Sequence, residues 1–134
     1  MELKLNLNFM KRDNPLQNKS FELAILIVRI SDELKSQHKA YELATQLIRS
    51  GMSVSAMIRE AEHAESQKDF LHKLSIALKE VNECRYWMEL TIAVSYMNED
   101  RLKPAMDLSE EVLKMLISSV KTTKEKLNKI NKPA

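Results

Sequence analysis

Glycine and proline are scarce in this sequence, with one glycine and three prolines among 134 residues. Because these two residues interrupt helices more than any others, their scarcity predicts long helices joined by short connections. A single glycine also excludes a glycine-rich phosphate-binding loop, which needs two glycines at fixed spacing. The length fits one domain that is large enough to bury a substantial core.

Cysteine is limited to Cys84, so the chain has no internal disulfide, as is typical of a reducing cytoplasm. Cys84 falls on the apolar face of a predicted helix, which favours a small buried side chain over a reactive thiol. Apolar runs of membrane-spanning length are lacking. Lys4, Asn6 and Asn8 interrupt the beginning in a way that is unlike a secretory signal. We therefore expect a cytoplasmic protein without a membrane span.

Charge is nearly balanced over the whole chain, at a formal net +2, but it is unevenly distributed. From Arg101 onward there are eight basic and four acidic residues, whereas residues 21–100 carry nine basic and thirteen acidic residues. A basic end of this kind indicates either an acidic partner or a solubilising tail, and the count does not choose between them.

The first residues alternate between apolar and polar side chains, with Leu3, Leu5, Leu7 and Phe9 on one side. This period of two is typical of a half-buried strand and not of a helix. We predict that residues 1–14 form a short extended arm. The arm is either loose, as chain termini often are, or pairs with a neighbouring subunit or another partner.

The first two helices are marked by local signals. Asn14-Pro15 pairs a capping side chain with a proline suited to the first helical position, so the first helix should begin there and run to about Ser36. A second helix should extend over about residues 39–65. Gly51 lies in the middle of its apolar pattern and marks close packing, a kink or a break.

Ser66 and Asp69 resemble a capping box for the third helix. A polar loop is predicted over residues 98–103, with Pro104 in the first turn of the fourth helix. The sequence therefore predicts an all-α protein, an up-down-up-down four-helix bundle over residues 15–130 with a short extended N-terminal arm and a frayed tail at residues 131–134.

The third helix, predicted over residues 68–97, carries two apolar faces on a helical wheel. Its core face holds Phe70, Leu71, Leu74, Ala77, Leu78, Val81, Cys84, Met88 and Ile92. A second stripe lies nearly opposite, where the helix of a monomer should meet water. The stripe consists of Ile76, Trp87, Leu90 and Val94. We predict that it is buried between copies of the chain in a homo-oligomer, because such a stripe on a free surface would favour aggregation.

Basic residues near the two ends of the bundle are the candidates for nucleic-acid binding. They are Lys11, Arg12, Lys19, Lys114, Lys121, Lys124, Lys129 and Lys132. In an antiparallel bundle the end of the fourth helix should lie near the start of the first, so we expect one basic surface that binds phosphates in a salt-dependent way. The alternative is a solvated lysine-rich face. Aromatic residues, at 5% of the chain, do not interleave with these lysines, so base stacking is not expected.

Metal and catalytic chemistry find little support. Glu60 and His63 have the spacing of a di-iron motif, and Asp69 and His72 form a poorer second copy. All four project away from the apolar faces of their helices, which favours solvated or interface side chains. We therefore expect no metal, no cofactor and no enzymatic activity.

Several segments are similar to a known family. They are Gln46-Leu47-Ile48-Arg49-Ser50-Gly51, Ile58-Arg59-Glu60-Ala61, the stretch from Lys68 to Glu80, and Tyr86-Trp87-Met88-Glu89-Leu90. Together they resemble the 23S rRNA intervening-sequence family, which includes the accessory variability determinant of diversity-generating retroelements. The resemblance implies a four-helix bundle, often a ring-shaped homopentamer, without enzymatic activity. For some members it also implies binding of RNA or DNA and work beside a reverse transcriptase.

One position departs from the family. This chain has Ser55-Ala56-Met57 where the family tends to show Gly-Ala-Asn, so any role of an amide at Met57 is lost. A candidate surface patch is carried over as Arg49, Ser53, Arg59 and Glu60. The alternative is that Arg49 and Glu60 belong to a set of salt bridges on the surface or between subunits.

Two functional hypotheses follow. The first is a non-enzymatic, oligomeric accessory protein that binds nucleic acid through a basic surface and acts with a reverse transcriptase. The second is a protein-interaction scaffold that binds no nucleic acid, which the small net charge and the second apolar stripe favour.

Overall fold

A computed structural model describes residues 13–131 together with Asn8 and Met10. The helices are α1 (Pro15–His38), α2 (Tyr41–Ala61), α3 (Gln67–Ala93) and α4 (Glu99–Asn131). Consecutive helices pack against each other and α4 returns to α1, which is the arrangement of an up-down-up-down bundle. The predicted all-α four-helix bundle is confirmed. Most of the predicted arm and residues 132–134 of the predicted tail lie outside the described residues.

The core is built from apolar side chains spaced three or four residues apart on each helix. The innermost positions of α1 are Leu23, Ile27, Ile30 and Leu34, and those of α3 are Leu74, Ala77, Val81, Cys84 and Met88. All of them are at most 1% exposed. Burying one large aliphatic side chain contributes roughly 1.5–3 kcal/mol, so these stripes hold the four helices together.

Gly51 marks close packing between α1 and α2, and the helix continues through it without a break. A Cβ atom at Gly51 would lie 2.7 Å from Cγ2 of Ile27, which is far inside van der Waals contact. Glycine is therefore required by the approach of α1, and the φ angle at this position is an ordinary helical one.

The capping signals are confirmed at the starts of α1 and α3. Asn14 Oδ1 accepts a hydrogen bond from the Gln17 backbone N–H at 3.0 Å. Ser66 Oγ accepts one from the Asp69 N–H at 3.0 Å, and the Asp69 carboxylate in turn accepts from the Glu65 N–H at 3.2 Å. These bonds satisfy N–H groups that the helix itself leaves without partners.

Two boundaries differ from the prediction. The second helix ends at Ala61, because the next three N–H groups bond carbonyls three residues back and form turns before Ser66 begins α3. The third helix ends at Ala93, shortly before Ser95 adopts a left-handed conformation with φ 63°.

The fourth helix begins at Glu99, so the predicted polar loop at 98–103 is wrong. Asn98 caps it by accepting from the Arg101 N–H at 2.8 Å, and Leu102 is already fully buried. Pro104 lies inside the helix and has no backbone N–H to donate to the Asp100 carbonyl. Asp100 is exposed, so water can donate to that carbonyl instead. None of the helices described here combines the length and the apolar character that crossing a membrane requires.

Candidate nucleic-acid interface and apolar groove

The lysines of α4 differ in whether a carboxylate neutralises them. In its first half, Lys103 pairs with Asp107 at 3.3 Å and Lys114 with Glu110 at 3.4 Å. The last three turns carry four exposed lysines, with Glu125 as the one acidic residue among them. None of these lysines has an ion pair with a residue in the described ranges. We call them the lysine cluster: Lys121, Lys124, Lys126 and Lys129.

Lys19 lies apart from the lysine cluster. Its Nζ pairs with Oε2 of Glu111 at 2.7 Å, so the start of α1 meets the middle of α4. At 1.5 Å per residue, Lys121 and Lys129 are roughly 15 and 27 Å further along the helix. The expected merging fails for Lys19 because α4, with 33 residues, extends past α1, which has 24. Lys11, Arg12 and Lys132 fall outside the described residues.

The surroundings of the lysine cluster are not uniformly basic. Lys126 and the buried Thr123 line a shallow cavity of about 490 Å³ beside the connection between α2 and α3. Glu62 and Glu65 line the same cavity, which we call the α2–α3 joint groove. The lysine cluster is therefore most basic on the outer side of α4.

Arg49 forms an ion-pair network that joins α2 to α3. Its Nη1 lies 3.2 Å from Oε2 of the nearly buried Glu80, and its Nη2 bonds Glu83. The Trp87 indole N–H donates to Oε1 of Glu83 at 3.2 Å, which continues the network to the apolar stripe. The Arg49 side chain is 46% exposed, so the network lies at the surface.

The network shifts the ionisation of its members. The Trp87 hydrogen bond, with a further contribution from Arg49, lowers the pKa of Glu83 below its usual value. The hydrogen bond to Glu83 raises the pKa of Arg49. Both shifts favour the charged forms, so this network is intact at neutral pH.

The remaining residues of the candidate patch do not gather around Arg49. Arg59 lies toward α1, with its guanidinium carbon 5.8 Å from the centre of the Phe21 ring. Ser53 is half-buried and Glu60 is exposed. The two arginines therefore contact different neighbouring helices.

The second stripe of α3 borders a groove. Trp87 is half-buried and packs against the core, Leu90 is half-buried, and Val94 is 47% exposed. These three side chains line an open cavity of about 670 Å³ with the first turns of α2. Ile76 is half-buried and lies about 16 Å from Trp87 toward the start of α3. It does not line this cavity. We call the cavity the α2–α3 groove: Tyr41, Glu42, Leu43, Thr45, Gln46, Trp87, Leu90, Val94 and Tyr96.

Two of the three tyrosines and the one tryptophan of the chain line this groove, and the third tyrosine contacts the tryptophan. Tyr41 and Tyr96 line it at 59% and 38% exposure, and Tyr86 packs edge-on against Trp87 with ring centres 4.9 Å apart. His38 stacks on Tyr96, also at 4.9 Å. Sequence reasoning missed the tyrosines because each lies on a different segment. The sequence offered one signal for them, the presence of three tyrosines in a chain with few aromatic residues.

Residues considered for metal or covalent chemistry lie as follows. Cys84 is fully buried, as predicted, and burial raises the pKa of its thiol to about 12, so it is not a nucleophile at neutral pH. Glu60, His63 and His72 are exposed. No group of three metal-binding side chains occurs among the residues that the structure describes. Met57 is half-buried and packs against the core.

Residues 12–118 match the family of the 23S rRNA-intervening sequence protein. The chain belongs to this family. It is similar to a crystal structure of a protein of unknown function from the S23 ribosomal protein family of Bacteroides thetaiotaomicron. The two chains are 42% identical with a TM-score of 0.77, over 79% of this chain and 98% of the other. No curated protein matches this sequence.

The matched region contains the α2–α3 groove and the Arg49 network and ends before the lysine cluster. Family membership therefore bears on the bundle and the groove. The lysine cluster has to be judged on its own geometry.

Proposed function

We propose that this protein is a non-enzymatic, oligomeric accessory protein that binds the phosphate backbone of RNA or DNA through the lysine cluster at the end of α4. The proposal is supported by four exposed lysines within nine residues that no described carboxylate neutralises. The tyrosines and Trp87 lie at the far groove, and Phe70, which lines the α2–α3 joint groove with Lys126, is half-buried. The proposed contact is therefore to phosphates and carries no base sequence.

The contrast along α4 is the observation that carries this proposal. Lys103 and Lys114 project from the same outer side as Lys121, yet each has a carboxylate four residues away. Ion pairing of that kind solubilises a helix and stabilises it slightly. Lysines in the last turns also interact favourably with the helix dipole, which is their structural alternative role. Only a binding measurement separates that role from phosphate recognition.

The test is the affinity for a labelled single-stranded RNA and a labelled DNA duplex, measured by fluorescence anisotropy at several salt concentrations. We expect the variant K121E/K124E/K129E to lose binding, because it replaces three phosphate contacts with repulsive charges. Each contact contributes roughly 0.7 to 0.9 to the slope of log affinity against log salt concentration, so any residual binding should also depend less on salt. A matched control, K79E/K103E/K114E, makes the same change in net charge at exposed lysines outside the cluster and should retain most of the affinity. Equal loss in both variants, or unchanged binding in the first, would contradict the proposal.

The accessory role includes a reverse transcriptase as partner, which the family resemblance implies. The buried, unpaired Cys84 is compatible with work in a reducing cytoplasm. A reverse transcriptase gene beside this one, followed by co-purification of the two proteins, would support that part. Co-purification that fails with the tagged full-length chain would argue against it.

Self-association is the second part of the proposal, with the five-subunit ring of the resemblance as the expected state. The α2–α3 groove supports it, because Tyr41 and Val94 leave large apolar surface exposed around Trp87. Tyrosine and tryptophan are enriched at the centres of protein interfaces. The same groove favours the second candidate function, a protein-interaction scaffold without nucleic-acid binding. An oligomer that binds neither RNA nor DNA at low salt would favour the scaffold function.

A further inference from the structure

A groove between the end of α3 and the start of α4 combines an apolar floor with an acidic rim. Ile92 and Met106 are half-buried in the floor of a cavity of about 480 Å³, and Ala93 is exposed there. Four carboxylates and one amine line the same cavity, from Glu89, Glu99, Asp100, Asp107 and Lys103. We call this cavity the α3–α4 groove.

Three of these four carboxylates carry negative charge that no described residue balances. Asp107 is the exception, because Lys103 pairs with it at 3.3 Å. Glu89, Glu99 and Asp100 form no ion pair with any residue in the ranges that the structure describes. The rim of the groove is therefore open to a positively charged ligand.

Helix stability accounts for two of the three charges and leaves Glu89 unexplained. Glu99 and Asp100 lie in the first turn of α4, where the helix dipole favours carboxylates. Glu89 lies about one turn before the carboxyl end of α3, where the dipole offers a carboxylate no stabilisation. Arg85 lies one turn earlier on α3, but its Nη1 donates to the Met106 carbonyl at 3.1 Å and not to Glu89. Recognition of a partner gives Glu89 the role that the helix does not.

Charge distinguishes the α3–α4 groove from the other two grooves. The α2–α3 groove has one carboxylate, from Glu42. The α2–α3 joint groove has Glu62 and Glu65, but Lys126 offsets one of them. The α3–α4 groove, with four carboxylates and one lysine, is the most acidic of the three.

The occupant has to match both the floor and the rim of the groove. A nucleic acid would be repelled by the carboxylates, and a lone cation would leave the apolar floor uncovered. A helix with an apolar stripe between lysines or arginines matches both, since its stripe fills the groove and its charges meet the rim. Proteins that bind nucleic acid are rich in such basic residues. Their basic segments would be attracted to this groove and repelled by the lysine cluster.

The lysine cluster of the same chain cannot fill this role. Lys121, its nearest member, follows Met106 by about four turns of one helix, which separates them by about 22 Å. The screening length at physiological salt is about 8 Å. The α3–α4 groove and the lysine cluster are therefore separate electrostatic sites at the two ends of α4.

We propose that the α3–α4 groove binds a basic amphipathic helix of the protein with which this accessory protein acts. The inference rests on the accessory role proposed above and adds the place and the chemistry by which the partner is recognised. Apolar side chains of the partner helix cover Ile92 and Met106, while its lysines or arginines pair with Glu89, Glu99 and Asp100. One copy can then hold a protein at the start of α4 and a nucleic acid at its end.

The test is fluorescence anisotropy of a labelled helical peptide added to the full-length protein. The peptide has leucines along one face and arginines on both sides of that face. We expect saturable binding that weakens as salt rises, because the rim contacts are charge pairs at the surface. A peptide with glutamate in place of every arginine should not bind. A peptide with serine in place of every leucine should bind more weakly, because it leaves the floor uncovered.

Variants of the protein locate the binding site. E89K/E99K should weaken binding of the arginine peptide roughly tenfold or more, because two attractive pairs become repulsive. E42K/E60K makes the same change in net charge at exposed positions outside the groove and should retain most of the affinity. Ala93→Arg, at the exposed position of the floor, should weaken binding by filling the groove. Circular dichroism verifies the fold of each variant.

Three results would overturn the proposal: no binding by the full-length protein, equal loss in E89K/E99K and E42K/E60K, or full affinity in Ala93→Arg. Light scattering of E89K/E99K adds a fourth, since a smaller particle would assign the groove to a second copy of the chain. The lysine cluster is unaltered in E89K/E99K, so its RNA affinity should not fall. Failure of the peptide to bind would therefore overturn the groove contact and leave the phosphate contact to its own test.

Discussion

The contact between Gly51 and Ile27 shows how one residue sets the distance between two helices. Ile27 is fully buried and branched, and its Cβ, Cγ1 and Cγ2 atoms all lie within 3.0 Å of the point where a side chain at Gly51 would begin. Alanine would favour the helical conformation by up to about 1 kcal/mol. The steric clash of an alanine Cβ with Ile27 opposes that gain, because the contact distances are shorter than van der Waals contact.

We predict that Gly51→Ala destabilises the fold by roughly 1–3 kcal/mol, the usual cost of overpacking a core. Urea unfolding followed by circular dichroism measures the change in the free energy of unfolding. The control is Met52→Ala at the neighbouring position, which is 52% exposed and should change stability little. Stabilisation by Gly51→Ala would mean that α1 can move away from α2 without loss.

At the scale of the element, α2 and α3 are joined by charge at the surface as well as by the core. Arg49 contacts side chains that follow it by 31 and 34 residues in sequence. The Glu83 side chain is 27% exposed, so solvent screens the ion pair and limits its contribution. Its lowered pKa means that Glu83 stabilises the fold in the ionised form.

We predict that Glu83→Gln destabilises the protein by at most about 1 kcal/mol at neutral pH, as for exposed ion pairs. A depressed pKa contributes stability above the ordinary value of 4.5, and that stability is lost as the pH falls through the lowered value. The difference from the unaltered protein should therefore shrink below pH 4.5. Denaturant unfolding at neutral pH and below pH 4.5 measures the difference in the free energy of unfolding. Glu60→Gln, at an exposed site, is the control. A constant difference would contradict the ionic origin.

At the scale of the whole molecule, the two surfaces proposed for nucleic-acid binding and for self-association lie apart. The lysine cluster lies at the end of α4, whereas the tyrosines and Trp87 gather at the opposite end, where α1 ends, α2 begins and α3 ends. A copy could therefore use the groove for assembly while its lysines remain open to phosphates. Repetition of the cluster in an oligomer would multiply the phosphate contacts.

We predict that Trp87→Glu converts the oligomer to a monomer, measured by light scattering. Because Trp87 also packs against the core, Val94→Glu provides a second variant at a side chain that is 47% exposed. Ile117→Glu, at a 51% exposed position of α4 outside the groove, is the matched control. Circular dichroism verifies the fold of each variant. Variants that are folded and still oligomeric would place the interface elsewhere.

Local signals predicted what depends on neighbouring residues. Asn14 and Ser66 cap helices because their side chains reach N–H groups three residues away, and that spacing is visible in the sequence. Gly51 allowed three interpretations, since the deciding contact comes from Ile27, which lies on another helix. The position of Lys19 was mistaken for a similar reason, because it depends on how far α4 extends past α1.

The sequence alone determined the all-helical class, the bundle and the inward faces of its helices, because apolar periodicity and caps act within a few residues. The tertiary structure decided which surface residues meet. Tyr41, Trp87 and Tyr96 come from three separate segments and form one groove. Arg49 finds its carboxylates on α3, while Lys121 and its neighbours find none in the described chain. These relations depend on the offset and facing of packed helices, and no local pattern encodes that geometry.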